Sequence, residues 1–167
     1  AEASAVRKGA EQQTARDSLY MLSGPDIDKE ILTQIPKTDA KIAVELIKSI
    51  EKRDIKSAAP LLLKTATHSD PEIQMESWKT LKTAAGPDDM AKLTELLIQI
   101  QDARLRGEAV KTASAVALKI PDENQRAKDV LAAYPSVKDS SVKASLLELL
   151  GRIQSDSALP VLREALK

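Results

Sequence analysis

A repeat of about 32 residues constrains this chain more than any other feature of its sequence. The segment SAAPLLL at residues 57–63 returns as SALPVL at residues 157–162. Weaker copies are centred on Asp28, Lys92 and Lys128, so the anchor positions 28, 60, 92, 128 and 160 are separated by 32, 32, 36 and 32 residues. Short units of this kind cannot bury an apolar face alone, so neighbouring units must stack to make a core. The period therefore predicts a repeat protein.

Each unit has the pattern of two amphipathic helices, which we name by how they begin. Type B helices follow an Asp-containing turn and are predicted at 6–22, 39–53, 70–85, 105–120 and 139–153. Type A helices have an acidic or Pro-containing start and are predicted at 26–35, 57–67, 89–101, 124–133 and 157–166. Short polar connections keep successive helices antiparallel and adjacent. The sequence predicts an all-α fold, an α-α superhelix or solenoid of about five antiparallel pairs and ten helices.

Proline and aspartate explain where these helices begin. Asp70 can accept a hydrogen bond from a free N–H of the first turn, while Pro71 occupies the first helical position, which needs no donor. The repeated prolines Pro60 and Pro160 fall in the first turn of their helices if the serine three residues before each is the cap. We therefore expect these prolines to begin helices and not to break them.

Type B helices carry the predicted core stripe. Val142, Leu146, Leu149, Leu150 and Ile153 fall within about 100° of one helical face. Equivalent stripes are Ile42, Leu46, Ser49 and Ile50; Ile73, Ser77, Thr80, Leu81 and Ala84; and Ala109, Ala113, Val116, Ala117 and Ile120. The last stripe is rich in small residues and coincides with the longest repeat spacing, so we expect a local irregularity over residues 103–125.

Composition excludes several kinds of chemistry. The 25 basic and 25 acidic residues cancel, so the chain has no global field that would draw it to nucleic acid. It has no Cys, which excludes disulfides and thiolate chemistry. The one His, His68, shares a tight turn with Ser69 and Asp70, and neighbours in a turn cannot form a catalytic triad. We predict no catalytic residue, no metal site and no cofactor.

The two ends of the sequence carry incomplete pairs. We expect one repeat array over residues 1–167, with a lone type B helix at 1–24 and a lone type A helix at 155–167. A terminal helix presenting Leu159, Leu162 and Leu166 would expose an apolar face, so we expect the array to continue in a longer polypeptide. The alternative is that the half repeats are natural caps. No run of about 18 apolar residues occurs, so membrane insertion is not predicted.

The chain resembles HEAT-repeat proteins of the short bacterial type over about residues 15–167. The resemblance rests on the starts APLL at 59–62 and LPVL at 159–162, and on Asp followed three residues later by Val or Ile at Asp39, Asp70 and Asp139. The basic residue that follows in the family is retained only as Lys143, with Ala43 and Gln74 at the other two starts. A continuous Asp–Arg ladder is therefore not expected.

The resemblance implies that type B helices line the concave side, so residues beside their core stripes would face a partner. The candidate partner-binding residues are Val44, Lys48, Met75, Trp78, Lys79, Lys82, Lys111, Leu118 and Glu148. Trp78 has two interpretations, a binding hot spot or a packing residue, and its mostly apolar counterparts favour packing. The basic residues Lys48, Lys52, Arg53 and Lys56 form either a site for an acidic partner or a solvated edge.

Three functions remain open at this point. The leading one is a non-catalytic protein-interaction or scaffold module that binds a protein segment or a neighbouring domain along its concave face. One alternative is a HEAT-like enzyme such as an alkylpurine DNA glycosylase, which needs a basic face, several aromatic residues and a catalytic acid. The other is a bilin-lyase-like cofactor chaperone. Comparable bacterial arrays are often attached to domains of exported proteins, which favours a periplasmic or extracellular location over the cytoplasm.

Overall fold

The computed structural model describes residues 9–22 and 24–167, and this part of the chain contains helices and turns but no strand. We number its α-helices in chain order. They are α1 (Ala10–Met21), α2 (Pro25–Gln34), α3 (Ala40–Arg53), α4 (Ala59–Thr65), α5 (Pro71–Ala84), α6 (Met90–Gln99), α7 (Ala103–Ala117), α8 (Lys128–Ala133), α9 (Ser140–Arg152) and α10 (Leu159–Glu164). The predicted all-α fold of alternating helices is confirmed, with type B helices at odd numbers. The predicted start of the first helix, at residues 6–8, lies outside the described residues.

The chain folds as two compact units, Ala1–Ala84 and Ala85–Lys167. In the first unit, α3 packs against α1, α2 and α5, and α5 also packs against α4. The core between them consists of fully buried side chains, among them Ile47, Ile50, Leu62, Trp78 and Leu81. Trp78 is 0% exposed, which confirms the packing interpretation of this residue.

In the second unit, α7 packs against α6 and α9, and α6 packs against α8. The facing residues of α7 are small, and Ala109, Ala113, Val116 and Ala117 are all 0% exposed. Small side chains let helices approach closely, because packing distance depends on the side chains at the contact. The extra residues of the longest repeat lie in the connection 118–127 between α7 and α8, which includes the 3₁₀ turn Glu123–Gln125.

Aspartate caps begin α3, α5, α7 and α9, whereas α1 has Gly9 at this position and no side-chain cap. The Oδ1 atom of Asp39 accepts from the N–H of Ile42 at 3.1 Å, and that of Asp70 accepts from Glu72 and Ile73 at 2.9 and 3.2 Å. Such bonds satisfy N–H groups that have no partner within the helix. The predicted role of Asp70 is confirmed, with Pro71 as the first residue of α5.

One cap changes the predicted limits of a helix. Asp102 accepts from the N–H of Leu105 at 2.7 Å, so α7 begins at Ala103 and not at residue 105. Because α7 ends at Ala117, Ile120 lies in the following turn and is half-buried, outside the helical stripe to which it was assigned.

The two repeated prolines lie in the first turns of α4 and α10, as predicted, but the serine caps do not form. Ser57 and Ser157 instead lie in the 3₁₀ turns Lys56–Ala58 and Asp156–Ala158, which lead into the helices. These turns are closed by main-chain bonds, such as the one from Ala58 N–H to the carbonyl of Ile55 at 3.1 Å. Because each turn continues directly into its helix, main-chain carbonyls take the place of a serine cap at the start of the helix.

Candidate protein-binding face

A Glu and a Lys stand at the same two positions of three successive type B helices. Counted from the capping Asp, Glu is the sixth residue and Lys the ninth, and in α9 these positions hold Ser145 and Glu148. The three pairs are Glu45 with Lys48, Glu76 with Lys79, and Glu108 with Lys111, at nitrogen–oxygen distances of 3.1, 3.3 and 3.3 Å. Residues three apart on a helix are neighbours on its surface, so each pair forms within its own helix.

The members of each pair differ in burial. The Glu side chains are 6%, 13% and 13% exposed in chain order, whereas the Lys side chains are 34%, 47% and 56% exposed. The carboxylates therefore lie near the helix packing, and the aliphatic part of each Lys carries its ammonium group towards solvent. In each of the three helices the Lys is thus more exposed than its Glu partner, and Glu45 is the one of the three Glu residues that is buried.

In the first unit, Arg16 of α1 joins the pair on α3. Its Nε and Nη2 atoms each donate to one carboxylate oxygen of Glu45 at 2.6 Å, a bidentate arrangement. Burial raises the pKa of the Glu45 carboxyl, but the hydrogen bonds from Arg16 and Lys48 outweigh it and leave that pKa below its ordinary value. The same hydrogen bond to Glu45 raises the pKa of the Arg16 guanidinium. Glu45 is therefore a stably charged link between α1 and α3.

Tyr20 of α1 is affected by carboxylates on α3 and on α5, and α3 packs against both of the other helices. Burial raises the pKa of its hydroxyl, and the negative charges of Glu45 and Glu76 raise it further. The charges of both carboxylates therefore act on the Tyr20 hydroxyl. We call the surface formed by Arg16, Tyr20, Glu45, Lys48, Met75, Glu76 and Lys79 the α1–α3–α5 face.

Two predicted binding residues are buried, and their assignment to a surface is corrected here. Val44 is 8% exposed and Trp78 is 0% exposed, so neither presents its side chain to a partner. Val44 is buried because other helices pack on both sides of α3, so that the consecutive residues 43–47 of this helix are all buried. Lys79 is exposed, whereas Lys48, Met75 and Lys82 are half-buried.

In the second unit, the position of Asp102 changes the alignment of the predicted residues. Lys111 is the counterpart of Lys48 and remains at the surface. Leu118 is 44% exposed, but it lies beyond the last residue of α7 and not beside its stripe. Glu148 is 51% exposed and pairs with Arg152 at 2.8 Å.

Arg106 is a buried residue that the helix pattern of the sequence did not predict. It is 8% exposed, and it donates to the carbonyl of Ile100 at 2.9 Å and to the hydroxyls of Ser145 and Ser141 on α9 at 3.1 and 3.0 Å. Ser141 in turn donates to Asp139 at 2.6 Å, a bond that is the main cause of the lowered pKa of Asp139. This network ties α7 to the start of α9.

The sequence signal for Arg106 is the pattern Asp102-Ala103-Arg104-Leu105-Arg106. It is a further copy of the Asp start with the basic residue next to the apolar one. The expectation that the basic position survives only at Lys143 is therefore wrong, because it depended on starting α7 two residues late.

Of the basic residues that follow Lys48, Lys52 and Lys56 are exposed, whereas the side chain of Arg53 is buried. The side chain of Arg53 is only 8% exposed, and it pairs with Asp28 at 2.6 Å while donating to carbonyls at the C-terminal end of α1. Lys56 pairs with Asp54 at 2.6 Å and donates to the carbonyl of Thr83 at 3.0 Å. Cations at these positions favourably meet the negative ends of helix dipoles.

Within residues 9–22 and 24–167, no group of three or more His, Asp or Glu side chains is placed to hold a metal ion. Nor does any helix of that part combine the length and apolarity needed to cross a membrane. The His68 turn is closed locally, since its Nδ1 accepts from the N–H of Asp70 at 3.0 Å.

The family profile described as HEAT repeats matches residues 29–114, slightly more than half of the chain. No curated protein and no solved structure matches the chain. HEAT repeats are in general protein-interaction scaffolds and are typically not catalytic. Together with the paired helices and their Asp starts, the match shows that the chain belongs to the HEAT-repeat family.

Proposed function

We propose that this protein is a non-catalytic interaction module that binds a protein segment along the α1–α3–α5 face. The observation that carries the proposal is the repeated Glu–Lys pair of α3 and α5, in which each Lys side chain is more exposed than its Glu partner. A partner that approaches this face meets Lys48 and Lys79 first. Electrostatic complementarity of this kind gives specificity and speeds association. The segment belongs to another protein or to a neighbouring domain of the same polypeptide.

The spacing of the helices suggests what the segment carries. Packed helices lie about 8–10 Å apart, and a chain in the polyproline II conformation advances about 3.1 Å per residue with three residues per turn. Carboxylates three residues apart lie on the same side of such a chain and can therefore reach Lys48 and Lys79 together. The half-buried thioether of Met75, next to Glu76 in α5, offers a soft apolar contact between such charges.

The proposal is tested by comparing what three immobilised proteins retain from an extract of the organism that makes this chain. These are the unchanged protein, the double variant Lys48→Glu/Lys79→Glu, and a matched control, Lys29→Glu/Lys92→Glu, which changes two exposed lysines elsewhere. We expect at least one protein to be retained equally by the first and third and about tenfold less by the double variant, as measured by quantitative mass spectrometry.

A second experiment covers the case in which the bound segment belongs to a neighbouring domain of the same polypeptide. The α1–α3–α5 face is titrated with a synthetic extended peptide carrying Glu at every third position, and the amide resonances of α3 and α5 are followed by NMR. Retention that is the same for all three immobilised proteins, together with no shift of the α3 and α5 resonances, would rule out this face as a binding site.

A further inference from the structure

The first unit has a groove away from the residues of the α1–α3–α5 face. Its volume is about 620 Å³, and it lies where α2 leads into α3 and where α4 leads into α5. Ile35 and Ile73 are buried in its floor, which Leu61, Pro36 and Ala40 extend. A volume of this size is in the range of ligand-binding clefts, and the apolar floor favours an aliphatic group.

Three side chains on the rim of the groove already make local hydrogen bonds. Asp70 accepts from the N–H groups of Glu72 and Ile73 as the cap of α5. The Nδ1 atom of His68 accepts from the N–H of Asp70 at 3.0 Å. The hydroxyl of Thr67 donates to the carbonyl of Lys64 at 2.9 Å, so this side chain too is engaged locally.

Donors remain on the same rim. Because Nδ1 of His68 accepts a hydrogen bond, the proton of the neutral ring lies on Nε2, which is therefore a donor. Lys64 and Ser69 are exposed, and neither side chain makes a hydrogen bond or ion pair within the described residues. Asp70 adds a negative charge to the rim, but its Oδ1 is turned to the N–H groups of α5. The ammonium group, the hydroxyl and the imidazole N–H remain as donors for a partner's carboxylate.

We infer that this groove is a second binding site, for a protein segment in which an aliphatic side chain stands next to an Asp or Glu. The aliphatic group packs on Ile35, Leu61 and Ile73, and the carboxylate meets Lys64, Ser69 and His68. The groove runs along exposed turns, so a chain can enter and leave it, as an enclosed cavity would not allow. The site adds to the function proposed above and shares no residue with the α1–α3–α5 face.

The test is selection of random eight-residue peptides displayed on phage against the unchanged protein. Enriched peptides are then synthesised and titrated against two groove variants, Lys64→Glu and Ala40→Tyr. The first reverses the rim charge, and the second fills the floor from the first position of α3. Lys29→Glu, an exposed lysine of α2 outside the groove, is the matched control. Circular dichroism establishes that each variant is folded.

We expect enriched peptides that contain an aliphatic residue beside an acidic one and that shift the His68 ring resonances in NMR spectra. Their dissociation constants should rise about tenfold or more in both groove variants and change less than about twofold in Lys29→Glu. Peptides lost through Lys48→Glu/Lys79→Glu but not through Lys64→Glu would belong to the other face.

Three results would overturn the inference. One is that selection enriches no sequence whose binding depends on Lys64 and Ala40. Another is enrichment of groove-dependent peptides without an acidic residue. The third is binding of free 4-methylpentanoate as tightly as the best peptide, which would make the groove a site for small aliphatic acids and not for a protein segment.

Discussion

Glu45 is a single buried side chain that stays ionised in the folded protein. The side chain is 6% exposed, and burial alone would favour its neutral form. Arg16 and Lys48 reverse that preference through short hydrogen bonds, so the carboxylate stays ionised. Removing one partner of such a group is costly, because it leaves the other charge uncompensated.

The competition between burial and hydrogen bonding at Glu45 predicts how the free energy of unfolding depends on pH. The pKa of Glu45 is lowered in the folded state from an ordinary value of 4.5, so its contribution is present above about pH 4.5 and is lost as pH falls through the lowered pKa. Urea unfolding of Glu45→Gln should show a loss of about 1–3 kcal/mol at pH 7, with a smaller further loss on acidification than the unchanged protein.

The control for Glu45 is Glu95→Gln. Glu95 forms an exposed ion pair with Lys92. The Glu95 side chain is 54% exposed and the Lys92 side chain is 50% exposed. Pairs of this kind contribute about 0–1 kcal/mol. Equal stability loss and an equal pH profile for the two variants would show that Glu45 has no special role.

At the scale of the helices, start signals made most of the fold predictable. Asp39 and Asp70 stand immediately before apolar periodic segments, and the start of α5 follows directly from such a signal. The start of α7 was missed because Asp102 follows the apolar end of α6 without a proline or glycine to mark the break. That single error displaced the assignment of Leu118 and hid Arg106.

The cap of α7 gives a direct test at this scale. Asp102→Ala removes the acceptor for the N–H of Leu105 and should lower the free energy of unfolding by about 1 kcal/mol. Asp102→Asn, which keeps a capping oxygen, should lose only a few tenths of that value. Asp88→Ala changes an exposed acidic residue that does not cap a helix and serves as the control. Chemical denaturation measures all three, and an equal loss for Asp88→Ala would contradict the role given to the cap.

The proposed binding face was less predictable than the helices. The spacing of Glu45 and Lys48, repeated in two later helices, is visible in the sequence. Their difference in burial is not, because it depends on which helices pack on each side of α3. The burial of Val44 has the same cause. Its position beside the core stripe is visible in the sequence, but the packing of both α1 and α5 against α3 is not.

For the whole molecule, the balance of 25 basic and 25 acidic residues matters more than any single pair. A protein gains most of its non-specific affinity for DNA by neutralising phosphates with basic side chains. The local cations of the α1–α3–α5 face lie above carboxylates that offset them. The molecule therefore offers a protein partner a patterned surface without a strong long-range field.

This balance predicts that the protein does not bind duplex DNA at physiological salt. A mobility-shift titration should show no complex up to about 10 μM protein. A basic DNA-binding domain of similar size is the positive control. A complex formed below about 1 μM would contradict the proposal of a protein-interaction module with no nucleic-acid partner.

Arg106 has a consequence for how the second unit opens. Its guanidinium donates to three neutral oxygens, two of them serine hydroxyls on α9, and its charge also interacts with the carboxylate of Asp139, the cap of α9. If residues 139–145 at the start of α9 move away from α7, Asp139 and both serine hydroxyls leave together, and the Arg106 guanidinium keeps only the carbonyl of Ile100 among these partners. Such an intermediate is costly, so the two helices separate at this joint in one cooperative step. The amide hydrogens in the first turns of α7 and α9 then exchange with solvent through one shared opening event.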